Sequence, residues 1–108
     1  MKNFQIAFDQ MQPLALGRGS CLATDHITVE GKRVGYMYRI EPDNRHHNGW
    51  IFMSGDETQE YADVAENWTY YDTNTIANYD PEIVDFIGAP IGSAFERDCN
   101  GDFIEVID

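Results

Sequence analysis

The densest apolar stretch of the chain, residues 50–53, ends directly against two acids. Its composition of Trp, Ile, Phe and Met predicts a buried strand. Ser54 and Gly55 interrupt the strand, since glycine adopts backbone angles that are closed to bulky residues. Asp56 and Glu57 follow immediately, so a core strand delivers two carboxylates to an edge of the sheet. They open a long acidic region, because residues 46–96 contain ten Asp or Glu and neither Lys nor Arg.

The clearest alternation lies in residues 33–40, where apolar and more polar positions follow one another with a period of two. Such a period places alternate side chains on opposite faces of a strand, as expected for an antiparallel sheet with one buried face. We therefore predict a single buried face for this strand, formed by Val34, Tyr36, Tyr38 and Ile40.

Two hairpins are predicted from turn residues. Residues 20–29 are rich in β-formers, and a Glu-Gly-Lys turn leads from them into residues 33–40. Near the end of the chain, residues 93–97 and 103–106 flank Asn100-Gly101. This pair suits the tight turn of a β-hairpin, so the last two strands are expected to be neighbours.

The best helix start is Asp80-Pro81-Glu82. Asp accepts hydrogen bonds from free amides, Pro suits the first helical position, and Glu complements the helix dipole. This helix is expected to cover about residues 80–87, and weaker signals predict a short turn over 74–78, a helical turn or acidic loop over 58–67 and a strand over 68–71. The predicted fold class is α+β, with a mainly antiparallel sheet of about five or six strands and one short helix.

At 108 residues, 43% of them hydrophobic, the chain has the size of one domain with one core. Residues 20–108 are expected to form it, after an arm, residues 1–19, that suits an edge strand. The formal net charge of -12 repels phosphate backbones and anionic membranes, so we expect neither nucleic-acid nor membrane binding. A protein partner with a basic surface is the expected complement, although many proteins are acidic for solubility alone.

Two further features concern the compartment. No apolar run approaches the roughly 20 residues of a membrane span, and no secretory signal follows Met1, so a cytoplasmic location is expected. The two cysteines, Cys21 and Cys99, are too few for a disulfide framework. We expect both to be reduced core thiols, and pairing stays open in case their strands are neighbours.

Acids and aromatics concentrate in the segment that follows Gly55. We predict a partner-binding surface there, formed by Asp56, Glu57, Glu60, Tyr61, Asp63, Trp68 and Tyr70. Interface hot spots are enriched in Trp and Tyr, and the acids, which extend to Glu66, would face a basic surface of the partner. A solvated acidic face is the alternative interpretation. Trp50 differs from the other aromatics, since its apolar strand predicts a core position.

Signals for catalysis or metal binding are weak. Cys21 with His26 has the residue types of a nucleophile and its base, and Asp56 with Asp72 those of twin carboxylates, but no surrounding motif supports either pair. His46-His47 lies in a predicted solvated loop without the spacing of a metal site. We therefore expect no enzyme activity, no cofactor and no metal.

Five strings of residues, in order along the chain, resemble the immunity protein 33 domain family, also called domain of unknown function 2185. They are Cys21-Leu22-Ala23-Thr24-Asp25, Val34-Gly35-Tyr36-Met37-Tyr38-Arg39, Gly49-Trp50 with Ser54-Gly55-Asp56-Glu57, Tyr71-Asp72 with Asn74-Thr75-Ile76-Ala77-Asn78-Tyr79-Asp80-Pro81, and Gly92-Ser93-Ala94-Phe95-Glu96-Arg97. The resemblance runs from about residue 20 to residue 106. It implies a small bacterial α+β domain, encoded near polymorphic toxins, that neutralises a cognate toxin by binding, and it carries over no catalytic residues.

Two other classes of function stay open. One is a small ligand-binding domain or enzyme that uses the turn of residues 54–57 with Asp72, and a deep pocket with convergent carboxylates would favour it. The other is a self-associating structural domain, in which aromatic strands form a homodimer interface. A convex acidic face would favour the immunity protein.

Overall fold

One six-stranded sheet organises the chain in the computed structural model, which describes residues 2–42 and 47–106. The strands are β1 (Ser20–Thr24), β2 (Tyr36–Arg39), β3 (His47–Met53), β4 (Trp68–Asp72), β5 (Ala94–Arg97) and β6 (Phe103–Glu105). Their spatial order is β4-β1-β3-β2-β5-β6. β1 and β3 run parallel, and the other pairings between these strands are antiparallel. The predicted α+β class with a mainly antiparallel sheet is confirmed.

Several short helices accompany the sheet. The α-helices are α1 (Asp25–Thr28), α2 (Gln59–Ala62) and α3 (Thr73–Tyr79), and 3-10 helices cover Phe8–Gln10, Ala65–Asn67 and Pro81–Asp85. The structure contains more helices than the one short helix predicted. Residues 25–28, expected to belong to a strand, and residues 74–78, expected to form a turn, are helical. Helices of this length are marginal on their own, so packing on the sheet stabilises them. Within the described part of the chain, none has the length and apolar character needed to cross a membrane.

The predicted helix start at Asp80 is confirmed. The Oδ1 atom of Asp80 accepts a hydrogen bond from the Glu82 amide at 3.2 Å, and Pro81 is the first helical residue. The helix is of the 3-10 type and ends at Asp85, so it is shorter than the predicted range of about 80–87. Ile83 is fully buried, and this docking holds the short helix against the sheet.

The core lies between one face of the sheet, here called the inner face, and the helices α1 and α3 with the 3-10 helix Pro81–Asp85. Its fully buried members include the strand residues Cys21, Ala23, Met37, Trp50 and Phe52 and the helix residues Ile27, Ile76, Ala77 and Ile83. Trp50 is fully buried, as predicted, and its indole N–H donates to the Ile87 carbonyl at 2.8 Å. The indole is thus both packed and satisfied, as a buried Trp requires.

The predicted buried face of residues 33–40 is wrong for three of its four members. Val34 is buried, but Tyr36 and Tyr38 are half-buried and Ile40 is 43% exposed. Met37, from the opposite set, is fully buried on the inner face. The two sets of alternate positions in residues 33–40 both contain apolar side chains. The period of two therefore shows which residues share a face, but not which of the two faces packs against the core.

The two predicted hairpins have different outcomes. The last hairpin is confirmed, since β5 and β6 pair antiparallel and Gly101 in their connection has a φ of 85° that suits glycine. The hairpin of residues 20–29 with residues 33–40 is wrong. β1 pairs with β3 and β4 instead, because the chain leaves the sheet after Thr24 and turns into α1.

The arm packs on the helical side of the molecule. Residues 2–19 contain a 3-10 helix and turns but no strand, which corrects the expectation of an edge strand. The Asn74 side-chain oxygen accepts from the amides of Leu14 and Ala15 at 2.7 and 2.8 Å. Of the two free thiols, Cys21 is buried in β1 as predicted, whereas Cys99 is exposed in the last hairpin.

Candidate partner-binding surface

A buried carboxylate holds the turn that follows β3. The Glu57 side chain is 0% exposed, so the prediction that it contacts a partner is not supported by its position. Its Oε2 accepts from the Thr24 hydroxyl at 2.6 Å and from the amide and hydroxyl of Ser54 at 2.8 and 3.1 Å. Its Oε1 accepts from the Gly55 amide at 2.9 Å. Glu57 therefore ties the turn to the end of β1.

These contacts also set the ionisation of Glu57. Burial raises the pKa of the carboxyl, but hydrogen bonds from the Thr24 side chain and from the backbone of the turn lower it by more, so the net pKa lies below its ordinary value of 4.5. The carboxylate is consequently charged at neutral pH. His26 borders it, with Nδ1 3.1 Å from Ser54 Oγ and 3.5 Å from Glu57 Oε2.

The other three predicted acids, Asp56, Glu60 and Asp63, are exposed, and we call them the acidic edge. The Asp56 side chain is 66% exposed and pairs with Lys32 Nζ at 3.1 Å. Glu60 lies in the first turn of α2, and Asp63 Oδ1 accepts from the Gln59 side-chain amide at 2.8 Å. Because all three carboxylates face solvent, they are available to cationic groups of a partner.

The three predicted aromatics differ in how much surface they present. Tyr70 is 57% exposed on β4, at one end of the strand order. Trp68 is half-buried, and its indole N–H donates to the Ala62 carbonyl at 2.9 Å, which anchors α2. Tyr61 packs against His26 with tilted rings whose centroids are 4.2 Å apart, and its buried hydroxyl has no hydrogen-bond partner among the described residues. Tyr70 is thus the aromatic of the three best placed for a partner.

A second surface, which was not predicted from the sequence, is the side of the sheet opposite α1, α3 and the 3-10 helix Pro81–Asp85, here called the outer face. The strand register places on it Leu22, Tyr36, Tyr38, Ile51, Met53 and Tyr70. Among these six residues only Ile51 is buried, at 7% exposure. The signal was present in residues 33–40, where the period of two already separates Tyr36 and Tyr38 from Met37.

A cleft of about 470 Å³ connects the acidic turn with the outer face. Tyr36 and Met53 of the outer face line it together with the turn. Asp56 and Glu96 supply carboxylates, and Arg97, which is paired with Asp80, supplies a cation. Gly35 also lines the cleft, where the backbones of two strands approach closely. A Cβ atom at Gly35 would lie 1.9 Å from the Ser54 carbonyl oxygen, so this position requires glycine.

The pairs considered for catalysis have other partners. Burial raises the pKa of the Cys21 thiol to about 12, so it stays protonated, while His26 contacts Ser54 and Glu57. Asp72 accepts from the Asn74 amide at 2.9 Å and caps α3, whereas Asp56 is paired with Lys32. The Ser54 hydroxyl donates to Glu57, which engages it in holding the turn rather than in nucleophilic chemistry.

The predicted loop at His46-His47 is corrected in part. His47 is buried in β3, at 5% exposure, and Nδ1 lies 3.2 Å from the Ser20 carbonyl oxygen; His46 lies outside the described residues. Within residues 2–42 and 47–106, no group of three or more His, Cys, Asp or Glu side chains is arranged to hold a metal ion.

A comparison with protein families bears on this arrangement. The family model described as the immunity protein Imm33 domain matches residues 21–107, which is most of the chain. The chain belongs to the Imm33 immunity protein family. Searches of curated proteins and of solved structures gave no match. The resemblance inferred from the five residue strings is thereby confirmed, and the match begins within β1 of this Imm33 domain, after the arm.

Much of the family resemblance in this Imm33 domain falls on internal contacts. Thr24 and Glu57 hold the turn, as described above. Asp80 Oδ2 accepts from the Val34 amide at 3.0 Å and from Arg97 at 2.5 Å, and both side chains of this ion pair are more than nine-tenths buried. The strings therefore mark the framework of the Imm33 domain, and the exposed surfaces have to be assessed separately.

Proposed function

We propose that this Imm33 domain neutralises a cognate bacterial toxin by stoichiometric binding, and that the acidic edge with Tyr70 contacts a basic surface of the toxin. The observation that carries the proposal is the exposure of three carboxylates, Asp56, Glu60 and Asp63, together with the exposure of Tyr70 on β4, the strand at one edge of the sheet. Membership of an immunity family supplies the class of partner.

The net charge of the chain supports the same assignment. A charge of -12 creates a field that attracts a basic protein and repels acidic competitors, which mainly increases the association rate and the selectivity. Exposed charges are screened by salt, with a Debye length of about 8 Å at physiological ionic strength. Binding through the acidic edge should therefore weaken as salt is added.

The test starts with capture of the partner from the native host by the tagged full-length protein, at low and at high salt. The captured protein is identified and purified, and its toxicity to host cells is measured with increasing amounts of the immunity protein. Full protection at a ratio of about one to one is the expected result of stoichiometric neutralisation. Toxicity that persists when the immunity protein is in tenfold molar excess over the captured protein would reject the proposal.

Charge reversal then locates the surface. We expect Asp56→Lys with Glu60→Lys to slow association and to reduce its salt dependence, because two attractive charges become repulsive. The matched control is Asp9→Lys with Asp85→Lys, two exposed acids on other elements that give the same change in net charge. Equal effects of the two double variants would show that net charge alone acts and that the acidic edge is not the contact. Glu57 is left out of this test because its substitution would disturb the turn.

The cleft of about 470 Å³ favours a second candidate, binding of a small cationic ligand between Asp56 and Glu96. Cationic amines and guanidines are the probes, and a ligand that binds the folded state raises the unfolding temperature with its concentration. If the unfolding temperature does not change at millimolar concentrations of these probes, the cationic ligand is rejected and the protein partner is the occupant of this region.

A further inference from the structure

The outer face is unusual for a solvent-facing side of a sheet. An antiparallel sheet that has one face on the core normally presents polar side chains on the other face. Here the register places apolar or aromatic residues at the centre of that face, in four neighbouring strands: Leu22, Tyr36, Tyr38, Ile51, Met53 and Tyr70. The core residues are on the inner face, so the outer face is not needed to complete the core.

The aromatic side chains on this face are also preorganised. Tyr36 and Tyr38 lie two residues apart on β2, and their ring centroids are 5.4 Å apart. Tyr70 packs edge-on against His47 at 5.2 Å. Tyrosines that are already held in place lose little conformational entropy on binding, which is one reason why they are frequent in interface hot spots.

Charge and position link this face to the acidic edge. Glu96 is an exposed acid that the strand register places on the outer face, opposite Tyr36. Glu96 also lines the cleft that joins Tyr36 and Met53 to the turn at Asp56. An apolar centre with an acidic rim has the composition of a protein interface whose partner carries basic residues around its own apolar centre.

We propose that the outer face is the centre of the partner-binding surface, and that it takes a basic protein partner whose cations meet Glu96 and the acidic edge. The inference rests on the proposed function for the identity of the partner as a toxin. A second copy of this chain is a poorer occupant, because a symmetric contact would bring two surfaces with acidic rims together in molecules that each carry a net charge of -12.

The first experiment uses photo-crosslinking of the full-length protein in host cells that produce the toxin. The photoreactive residue p-benzoylphenylalanine replaces Tyr70 on the outer face or, as the matched control, Phe4 on the helical side. Tyr70 is 57% exposed and Phe4 is 47% exposed, and Phe4 packs against Tyr71, whose side chain points to the inner face. We expect cross-linking to a basic protein from position 70 at much higher yield than from position 4.

The second experiment measures the affinity of the identified and purified partner for two charge variants. Glu96→Lys changes the outer face, whereas Glu105→Lys changes an exposed acid on the next strand that the register places on the opposite side. Both variants alter net charge equally. We expect Glu96→Lys to weaken binding about tenfold or more, as for other hot-spot contacts, and Glu105→Lys to change it less than about threefold.

The outcomes separate this inference from the proposed function. In one outcome a toxin is bound and neutralised, yet cross-links equally from both positions or responds equally to the two Lys variants. That result would overturn the assignment of the outer face as the binding surface and leave the proposed function intact. Absence of any toxic partner would overturn both proposals. Self-cross-linking from position 70, together with a dimer in sedimentation equilibrium, would show that a second copy of the chain occupies the outer face. It would overturn the proposal that a basic protein partner binds there.

Discussion

Substitution of Glu57 by Gln isolates the contribution of the buried carboxylate to the fold. Gln keeps the size of the side chain but removes the negative charge and replaces one oxygen by an amino group. The carboxylate accepts four hydrogen bonds, three at Oε2 and one at Oε1. After the substitution, one oxygen can still accept, while the amino group must face a donor.

The expected loss of stability follows from these four contacts. Hydrogen bonds to a charged group contribute about 1.5–3 kcal/mol each and those between neutral groups about 0.5–1.5 kcal/mol, so three retained bonds lose roughly 1 kcal/mol each. The fourth bond is lost, and the smaller desolvation cost of a neutral side chain offsets part of the total. We expect Glu57→Gln to lower the free energy of unfolding by about 2–4 kcal/mol.

Urea unfolding followed by circular dichroism measures this loss. For a small domain with an m-value of about 1–3 kcal/mol per molar urea, a loss of about 3 kcal/mol lowers the midpoint by about 1–3 M. The control is Asp56→Asn in the same turn, whose exposed ion pair with Lys32 should contribute little. Both variants remove one negative charge, so their comparison cancels the effect of net charge.

The pH dependence supplies an independent check. Because the pKa of Glu57 is lower in the folded chain than its ordinary value of 4.5, its stabilisation is complete above pH 4.5 and is lost as the pH falls through the folded-state pKa. The difference in stability between the wild type and Glu57→Gln should therefore shrink below about pH 4.5. A difference that is absent at pH 7, or that grows on acidification, would refute the assigned role of Glu57.

Three further predictions use the same unfolding assay or simple chemistry. Arg97→Ala should lower the free energy of unfolding by about 3–5 kcal/mol, because it leaves the other member of a buried ion pair without its partner. Gly35→Ala should strongly destabilise the protein, since its Cβ would lie 1.9 Å from a backbone oxygen, whereas Gly88→Ala, with its nearest atom at 3.6 Å, should have a small effect. A thiol reagent should label only Cys99 in the native protein and both cysteines after unfolding. Cys21 is protected in the folded state because it is buried and its pKa is raised to about 12. Two labelled thiols in the folded state would contradict the burial of Cys21.

The charge pattern could be interpreted from the sequence, but the role of each acid could not. Asp56 and Glu57 are adjacent and chemically alike, yet one is 66% exposed and the other is fully buried. What separates them is the position of Thr24, which is distant along the chain and brought to Glu57 by the pairing of β1 with β3. A single sequence gives no signal for that pairing.

Local signals predicted those elements whose structure depends on neighbouring residues. Asp80 caps its helix because the acceptor, the proline and the free amides all lie within three positions. The last hairpin forms because glycine near its turn adopts a positive φ and the flanking strands are close in sequence. Burial of Trp50 was predictable because residues 50–53 are all apolar, which is typical of a strand that packs into a core.

Tertiary structure decided the order of the strands and the side of the sheet that the helices cover. The alternation in residues 33–40 distinguishes Met37 from Tyr36 and Tyr38, but burial of Met37 depends on α1, α3 and the 3-10 helix lying on its side. The same choice leaves the tyrosines on the outer face. Which residues can share a face thus follows from the alternation along each strand and could be predicted from the residues alone. Which face is core, and which is available to a partner, depends on long-range packing.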